Sequence, residues 1–238
     1  MGLFRRKPKE KPAGHCSVVV LAAGSSSRMG QDKIMATVGD LPVIVHTLQA
    51  FEPVREVEEI IVVTREELVP EIAGLCKVFG LDKVKRVVRG GESRAESARI
   101  GTLETDCDAR LIALHDAARP FVSAEVIRDV ILKASETGAA APAIPVKDTI
   151  KVARNGLVEY TPDRSELYAV QTPQVFDAAL IRAALQKALE DGAEVTDDCS
   201  AVERLGMKVS LTAGEERNFK LTTPADLALA EAMLQEVP

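Results

Sequence analysis

The segment "VVVLAAGSSSRMGQDK", Val18 to Lys33, runs from apolar residues into glycine and serine and then delivers Arg28 and Lys33. Glycine and serine at Gly24 to Ser27 let the backbone turn tightly and present amide N–H groups to a polyphosphate. Arg28 offers a planar fork to phosphate oxygens, and Lys33 a point charge able to offset negative charge that migrates during phosphoryl transfer. The plainer alternative is a flexible surface loop with solvated ends. Neither the G-x-G-x-x-G fingerprint nor the G-x-x-x-x-G-K-[ST] spacing of a P-loop is complete here, which argues against a dehydrogenase or an ATPase.

Two further segments carry chemistry at similar density. In "VVRGGESRAESARIG", Gly90 and Gly91 end an extended run, and Glu92, Ser93 and Arg94 open a helix whose first amides can receive a ligand acceptor atom. Ser97 lies one helical turn beyond Ser93 on the same face, within reach of a sugar or a base. The alternative is a capped helix with Arg94, Glu96 and Arg99 in surface ion pairs. In "LHDAARPF", Asp116 closes an otherwise apolar run, and Arg119 precedes a helix-breaking proline. One aspartate beside a triphosphate suits Mg2+, which bridges phosphate oxygens. The competing reading is a structural carboxylate accepting turn N–H bonds.

Such groups need a frame that gathers them. The chain alternates short β-branched runs with longer helical patterns, the signature of βα units. Strands are expected at Cys16–Ala23, Glu58–Thr64, Val84–Arg89, Arg110–Asp116 and Ala139–Ile144, near-continuously apolar as parallel strands covered on both faces are. Helices are expected at Pro42–Phe51, Glu66–Phe79, Ser93–Glu104 and Glu125–Thr137, the last capped by Ser123. Right-handed crossovers wind these into an α/β fold, a doubly wound, mostly parallel Rossmann-like sheet with ligand loops outside the C-terminal strand ends.

After Pro145 the texture changes. "NG" at Asn155 and Gly156 between apolar stretches signals a hairpin, and the region 146–170 reads as a projecting β-arm. An arm of that size buries no core of its own and is expected to pack against a second subunit, making a homodimer. Beyond Thr172 a helix is expected at Val175–Leu189, another opens in "TDDCSAVERLG", and "KVSLTAG" supplies a strand. A final amphipathic helix starts at Thr223 as N-cap and Pro224 as its first residue. Residues 1–14 read as a disordered basic tail and 15–238 as one domain.

A net charge of −6, with 3% aromatic residues and no Trp, supplies neither a basic surface nor stacking platforms for nucleic acid. No apolar run approaches the ~20 residues of a membrane span, so a cytoplasmic protein is expected. Cys16, Cys76, Cys107 and Cys199 form no CxxC pair, and the three histidines show no metal-ligand spacing.

Taken in order, "LAAGSSSRMG" with "DK", "RGGESRAES", "HDAARP", "TPDR", "QTPQVF", "TDDCSAVE" and "NFKLTTPADLALAE" resemble the 2-C-methyl-D-erythritol 4-phosphate cytidylyltransferase family of the non-mevalonate isoprenoid pathway, from Ser17 to Glu231. The resemblance implies transfer of CMP from CTP to 2-C-methyl-D-erythritol 4-phosphate, with Mg2+ and release of pyrophosphate. It places catalytic roles on Arg28 and Lys33 and nucleotide contacts on Ala22, Ala23, Gly24, Gly91, Glu92, Ser97 and Ala117. It also places the metal-associated carboxylate on Asp116 and acceptor contacts on Arg164, Thr172 and Lys220, with Arg164 and Lys220 counted among the catalytic cations and the arginine supplied by a neighbouring subunit's arm.

Three departures stand out: a compact first loop, Asp32 immediately before Lys33, and Glu92 where an aspartate is common. The compact loop resembles molybdenum-cofactor nucleotidyltransferases, and the later motifs favour the cytidylyltransferase. Ribitol 5-phosphate is the closest alternative acceptor. A catalytically silent nucleotide-binding protein is the alternative from another class, against which the retention of Lys33, Asp116 and Lys220 argues.

Overall fold

The computed structural model describes residues 15–24 and 32–235. The expected tail over 1–14 and the loop arginine, Arg28, lie outside the described residues. In chain order the elements are β1 (Cys16–Leu21), β2 (Thr37–Val38), β3 (Leu41–Pro42), α1 (Val43–Phe51), β4 (Val57–Thr64), a 3-10 turn (Glu66–Leu68), α2 (Val69–Val78), β5 (Val84–Arg89) and α3 (Arg94–Glu104). They continue as β6 (Leu111–Asp116), α4 (Ala124–Thr137), β7 (Ala139–Pro145), β8 (Val152–Arg154), β9 (Leu157–Tyr160), a second 3-10 turn (Arg164–Glu166), β10 (Tyr168–Val170), β11 (Gln174–Asp177), α5 (Ala178–Glu190), α6 (Asp198–Glu203), β12 (Ser210–Ala213) and α7 (Pro224–Gln235).

The central eight-stranded sheet has the path β10-β7-β11-β6-β1-β4-β5, with β12 added on β7. β1 pairs in parallel with both β4 and β6, while β10 and β11 run against their neighbours. The chain leaves β1 toward β4 and β5, then returns to the other side of β1 with β6. That reversal opens a crevice at the C-terminal ends of β1 and β6, where Leu21 lies opposite Asp116.

Strand side chains alternate between two cores, as a period of two requires. Val18, Val20, Ile60, Val62, Leu111 and Ala113 pack beneath α1, α2 and α4. Val19, Ile61, Val63, Ile112 and Leu114 face α3, α5 and α6. α3 approaches the sheet closely at Gly101, where a Cβ would collide with Val19 and Val63. A smaller cluster of Val38, Val43, Phe121, Leu221 and Ala230 seats α7 against the short β2–β3 ribbon. On α7 only Ala230 is fully buried and Leu229 is exposed, so its apolar stripe is narrower than its leucines and alanines suggest.

Ser123 caps α4 by accepting the Val126 N–H at 3.1 Å, and Gly138 ends it with φ of 82°. The helix expected from Val175 begins at Ala178 instead. Gln174 to Asp177 form β11, filling the gap between β6 and β7, and Asp177 then caps α5. Val175 and Phe176 are fully buried, and a short apolar run of that kind carries no period by which to tell strand from helix.

The arm contains the expected hairpin, β8 paired with β9 through Asn155 and Gly156, both with positive φ. Leu157, Val158 and Tyr160 on it are 75%, 59% and 58% exposed, so in this chain they bury nothing. Cys16, Cys76 and Cys199 are buried thiols and Cys107 is exposed, all free. Among the described residues no helix is long and apolar enough to cross a membrane.

Candidate active site

A cavity of about 370 Å³ lies over the C-terminal ends of β1 and β6. Ala22, Ala23 and Gly24 form one wall, Gly91, Glu92 and Ser97 another, and Ala117 the floor beside Asp116. Lys33, Arg94 and Lys220 bring positive charge into the same space. Among the described residues, segments nearly two hundred positions apart in the chain thus meet over one crevice, with three cations around the Asp116 side.

The second wall is rigid by construction. Ser93 caps α3 by accepting the Glu96 N–H at 3.1 Å, and the Glu96 carboxylate accepts the Glu92 N–H at 2.8 Å. Ser97 is buried, and its hydroxyl accepts the Gly91 N–H at 3.1 Å. A Cβ on Gly90 would stand 2.7 Å from that hydroxyl and 2.9 Å from the Ala23 Cβ, so glycine here is what lets the two walls approach. The helix opening is therefore capped, as the plainer reading held. Its amides at Gly91 and Glu92 already have side-chain partners.

Arg94 departs from the surface role allowed for it. Its guanidinium makes a fork to Asp198, 2.9 and 2.7 Å, and the Asp198 side chain has almost no exposure. Asp198 is in turn placed by Gln174, whose amide oxygen accepts the Asp198 and Cys199 N–H groups at 3.0 Å while its NH2 donates to Asp197. The "QTPQ" and "TDDC" segments meet through that one glutamine. Neither Arg94 nor Asp198 is singled out by spacing along the chain; their pairing joins the first residues of α3 and α6 on one face of the sheet.

Asp116 is the electrostatic centre. Lys220 Nζ is 3.0 Å from its carboxylate, Arg119 Nε 3.5 Å and Arg94 Nη2 3.9 Å. Burial alone raises a carboxyl pKa, but Lys220, Arg94 and Arg119 together outweigh it and bring Asp116 down to about 2. The carboxylate is thus ionised at neutral pH, faces the cavity, and has the chemistry of a Mg2+ ligand. Mg2+ commonly takes one or two carboxylates and completes its shell with substrate phosphates and water. The residues present fit that arrangement.

Lys33 is set by its neighbour. The Asp32 carboxylate accepts the Ile34 N–H at 3.2 Å and the Asp32 carbonyl accepts the Ala36 N–H at 2.9 Å, shaping the turn that carries Lys33. Arg65, from the end of β4, pairs with Asp32 and reaches the Gly24 carbonyl at 3.4 Å. Asp32, a departure from the family's usual loop, is therefore matched by an arginine that sequence spacing does not connect to it.

Thr172 and Arg164 stand apart from the cavity lining. Thr172 is 4% exposed; its hydroxyl accepts the Asp116 N–H at 3.1 Å and lies 3.0 Å from His115 Nδ1. Arg164, in the arm, is exposed and donates to the Lys147 carbonyl at 2.9 Å. Of the sequence-derived cations among the described residues, Lys33 and Lys220 line this chain's own cavity and Arg164 does not.

Residues 16–236 match the family model for 2-C-methyl-D-erythritol 4-phosphate cytidylyltransferase. Relatives bearing that name include one from Caldanaerobacter subterraneus, 42% identical over 228 residues, 92% of this chain and 99% of the relative. Another, from Halalkalibacterium halodurans, is 43% identical over 222 residues, covering 92% and 97%. Among solved structures, 4-diphosphocytidyl-2C-methyl-D-erythritol synthase from Anaerococcus prevotii superposes with a TM-score of 0.84 at 32% identity, covering 94% of this chain and 97% of that one. The cytidylyltransferase from Thermus thermophilus gives 0.76 at 34% identity, covering 92% and 98%. With the motifs, the crevice and these likenesses in agreement over almost the whole length, the chain belongs to the 2-C-methyl-D-erythritol 4-phosphate cytidylyltransferase family.

Proposed function

We propose that the protein transfers CMP from CTP to 2-C-methyl-D-erythritol 4-phosphate, giving 4-diphosphocytidyl-2-C-methyl-D-erythritol and pyrophosphate. The observation that carries this reading is the meeting of Lys33, Lys220 and Arg94 around Asp116 in one crevice at the switch of strand order. The attacking phosphate is already an anion, so the reaction needs no strong base. Its obstacle is the approach of one anion to another, and a fixed cationic cluster lowers that obstacle without reorganising.

In this reading the crevice wall at Ala22 to Gly24 and the Gly91–Ser97 segment receive the nucleotide. Lys33 stabilises charge on the α-phosphate and the departing oxygens, and Lys220 orients the acceptor phosphate. Arg28, five positions before Lys33 in the sequence, is assigned the matching phosphate contact. Asp116 would hold a Mg2+ ion, which would supply positive charge to offset that of the triphosphate. Lys220 is already held at the crevice by its ion pair with Asp116, 3.0 Å away.

The arm supports a homodimer: its apolar residues are exposed, and Arg164 has no place in its own chain's cavity. Sedimentation at twice the chain mass is expected, and a fully active monomer would contradict it. The reaction itself is tested by 31P NMR of protein with CTP, methylerythritol phosphate and Mg2+. Paired diphosphate resonances should grow with pyrophosphate and be absent without acceptor. Release of pyrophosphate without a diphosphate product would overturn the reading.

A further inference from the structure

We propose that Arg65 is a positioning residue for this transfer: it holds Asp32, and through Asp32 it sets where the Lys33 ammonium stands. This rests on the reaction given above. Arg65 follows directly on β4, whose end lies along β1, with the Val63 carbonyl accepting the Ala22 N–H at 2.7 Å. That register brings the guanidinium alongside Gly24, where the crevice wall ends. Its Nε donates to the Glu67 carboxylate at 2.8 Å, which fixes the plane of the planar fork. Nη1 then reaches the Gly24 carbonyl at 3.4 Å, and Nη2 pairs with the Asp32 carboxylate. One side chain thus bridges residues 24 and 32.

Lys33 sits between two anchored neighbours. Ile34 is 3% exposed, and its carbonyl accepts the Ile44 N–H of α1 at 2.9 Å, which ties one side of the turn to the core. On the other side, Asp32 Oδ1 accepts the Ile34 N–H at 3.2 Å while Oδ2 takes Arg65. A lysine ammonium rides on a flexible four-carbon stem, so it is placed only as well as its backbone is. Loss of Arg65 frees one of the two anchors. It also strips the counter-charge from a carboxylate one residue away from the cation that must meet a triphosphate.

Arg65 itself is not among the described residues that line the crevice. Its effect therefore passes through Asp32 and Lys33, and not through contact with the nucleotide.

The test combines steady-state kinetics with a direct probe of Lys33. Arg65→Gln is expected to lower kcat roughly ten- to a hundredfold, the cost of a misplaced catalytic group, with the CTP KM within a few-fold. Asp32→Asn, whose amide oxygen can still accept the Ile34 N–H, should show the same split, and the double variant should be no worse than either single one. In a Lys33→Ala background, Arg65→Gln should cost less than about twofold more, because the group it positions is gone. Losses that multiply in that background, or a raised CTP KM with unchanged kcat, would overturn the proposal. The Arg65 and Asp32 side chains are 28% and 22% exposed, so both variants should fold; should Arg65→Gln not, Asp32→Asn decides in both backgrounds.

Acetylation of Lys33 by acetic anhydride, followed by mass spectrometry, reads its placement without turnover. CTP with Mg2+ should shield Lys33 in the wild-type protein, and Arg65→Gln should lose most of that shielding at CTP concentrations that saturate both proteins by calorimetry. Equal shielding would sink the proposal even if the variant is slow. Shielding as expected, but no wild-type turnover of methylerythritol phosphate, would instead count against the reaction assigned above and leave the tie between Arg65 and Lys33 standing.

Discussion

Lys33→Ala is expected to lower kcat about 10²- to 10³-fold, the range seen when one preorganised charge-stabilising group is removed from a transition state, while the CTP KM stays within a few-fold. Lys33 lines the crevice from a turn whose shape is fixed by Asp32, and Asp32 is held by Arg65. In the proposed reaction a side chain placed this way would meet the triphosphate in the ground state and contribute more as charge moves toward the leaving oxygens. Pyrophosphate release at varied CTP separates the two effects. Weaker CTP binding with unchanged kcat would remove Lys33 from the chemistry.

Asp116→Asn is the second large effect, and it has two parts. At saturating substrates turnover should fall by at least ~10²-fold, because the carboxylate that would take a metal ion and that balances Lys220 and Arg119 is then gone, while Arg94 keeps its fork to Asp198. CTP binding by calorimetry gives a companion signal: Mg2+ should strengthen it in the wild-type protein and make little difference in the variant. An equal response to Mg2+ in both proteins would contradict the role given to Asp116.

The same substitution should change stability with a definite sign in pH. Asp116 has its folded pKa lowered from 3.8 to about 2, so its ionised form favours the folded state above pH 3.8, and that contribution is lost as pH falls through about 2. The shift corresponds to roughly 2 kcal/mol, or about 4–8 °C in Tm for a chain of this size. Wild type should therefore melt higher than Asp116→Asn near neutral pH, with the gap narrowing as acid protonates the carboxylate. A gap that is constant down to pH 2 would mean that the three cations do not act on Asp116 as their distances imply.

Strands with strong composition were legible from residues alone. β1, β4, β5 and β6 lie within a residue or two of where continuous β-branched runs put them, and the arm's hairpin turns at Asn155–Gly156 as that dipeptide requires. Gly24, Gly91 and Asp116, which line the crevice, were legible as candidate positions because they fall where apolar runs break. What stayed hidden depends on pairing across the sheet. β11 is a strand only because a gap between β6 and β7 awaits it. Arg94 read as a surface charge because Asp198, the carboxylate that draws it inward, lies 104 positions further along. Arg65 was invisible as a site residue for the same reason: it works by holding other residues, and nothing in its own neighbourhood along the chain names those partners.

The central claim, CMP transfer to methylerythritol phosphate by this cationic crevice, is tested most directly by kcat/KM for pyrophosphate release with CTP, Mg2+ and each of two acceptors assayed side by side, methylerythritol phosphate and ribitol 5-phosphate. The account predicts a preference for methylerythritol phosphate of at least about tenfold, since the two acceptors differ by a hydroxyl-bearing carbon and a methyl branch and a buried polar group left unpaired costs about 1–3 kcal/mol. Equal rates, or faster release with ribitol 5-phosphate, would contradict it.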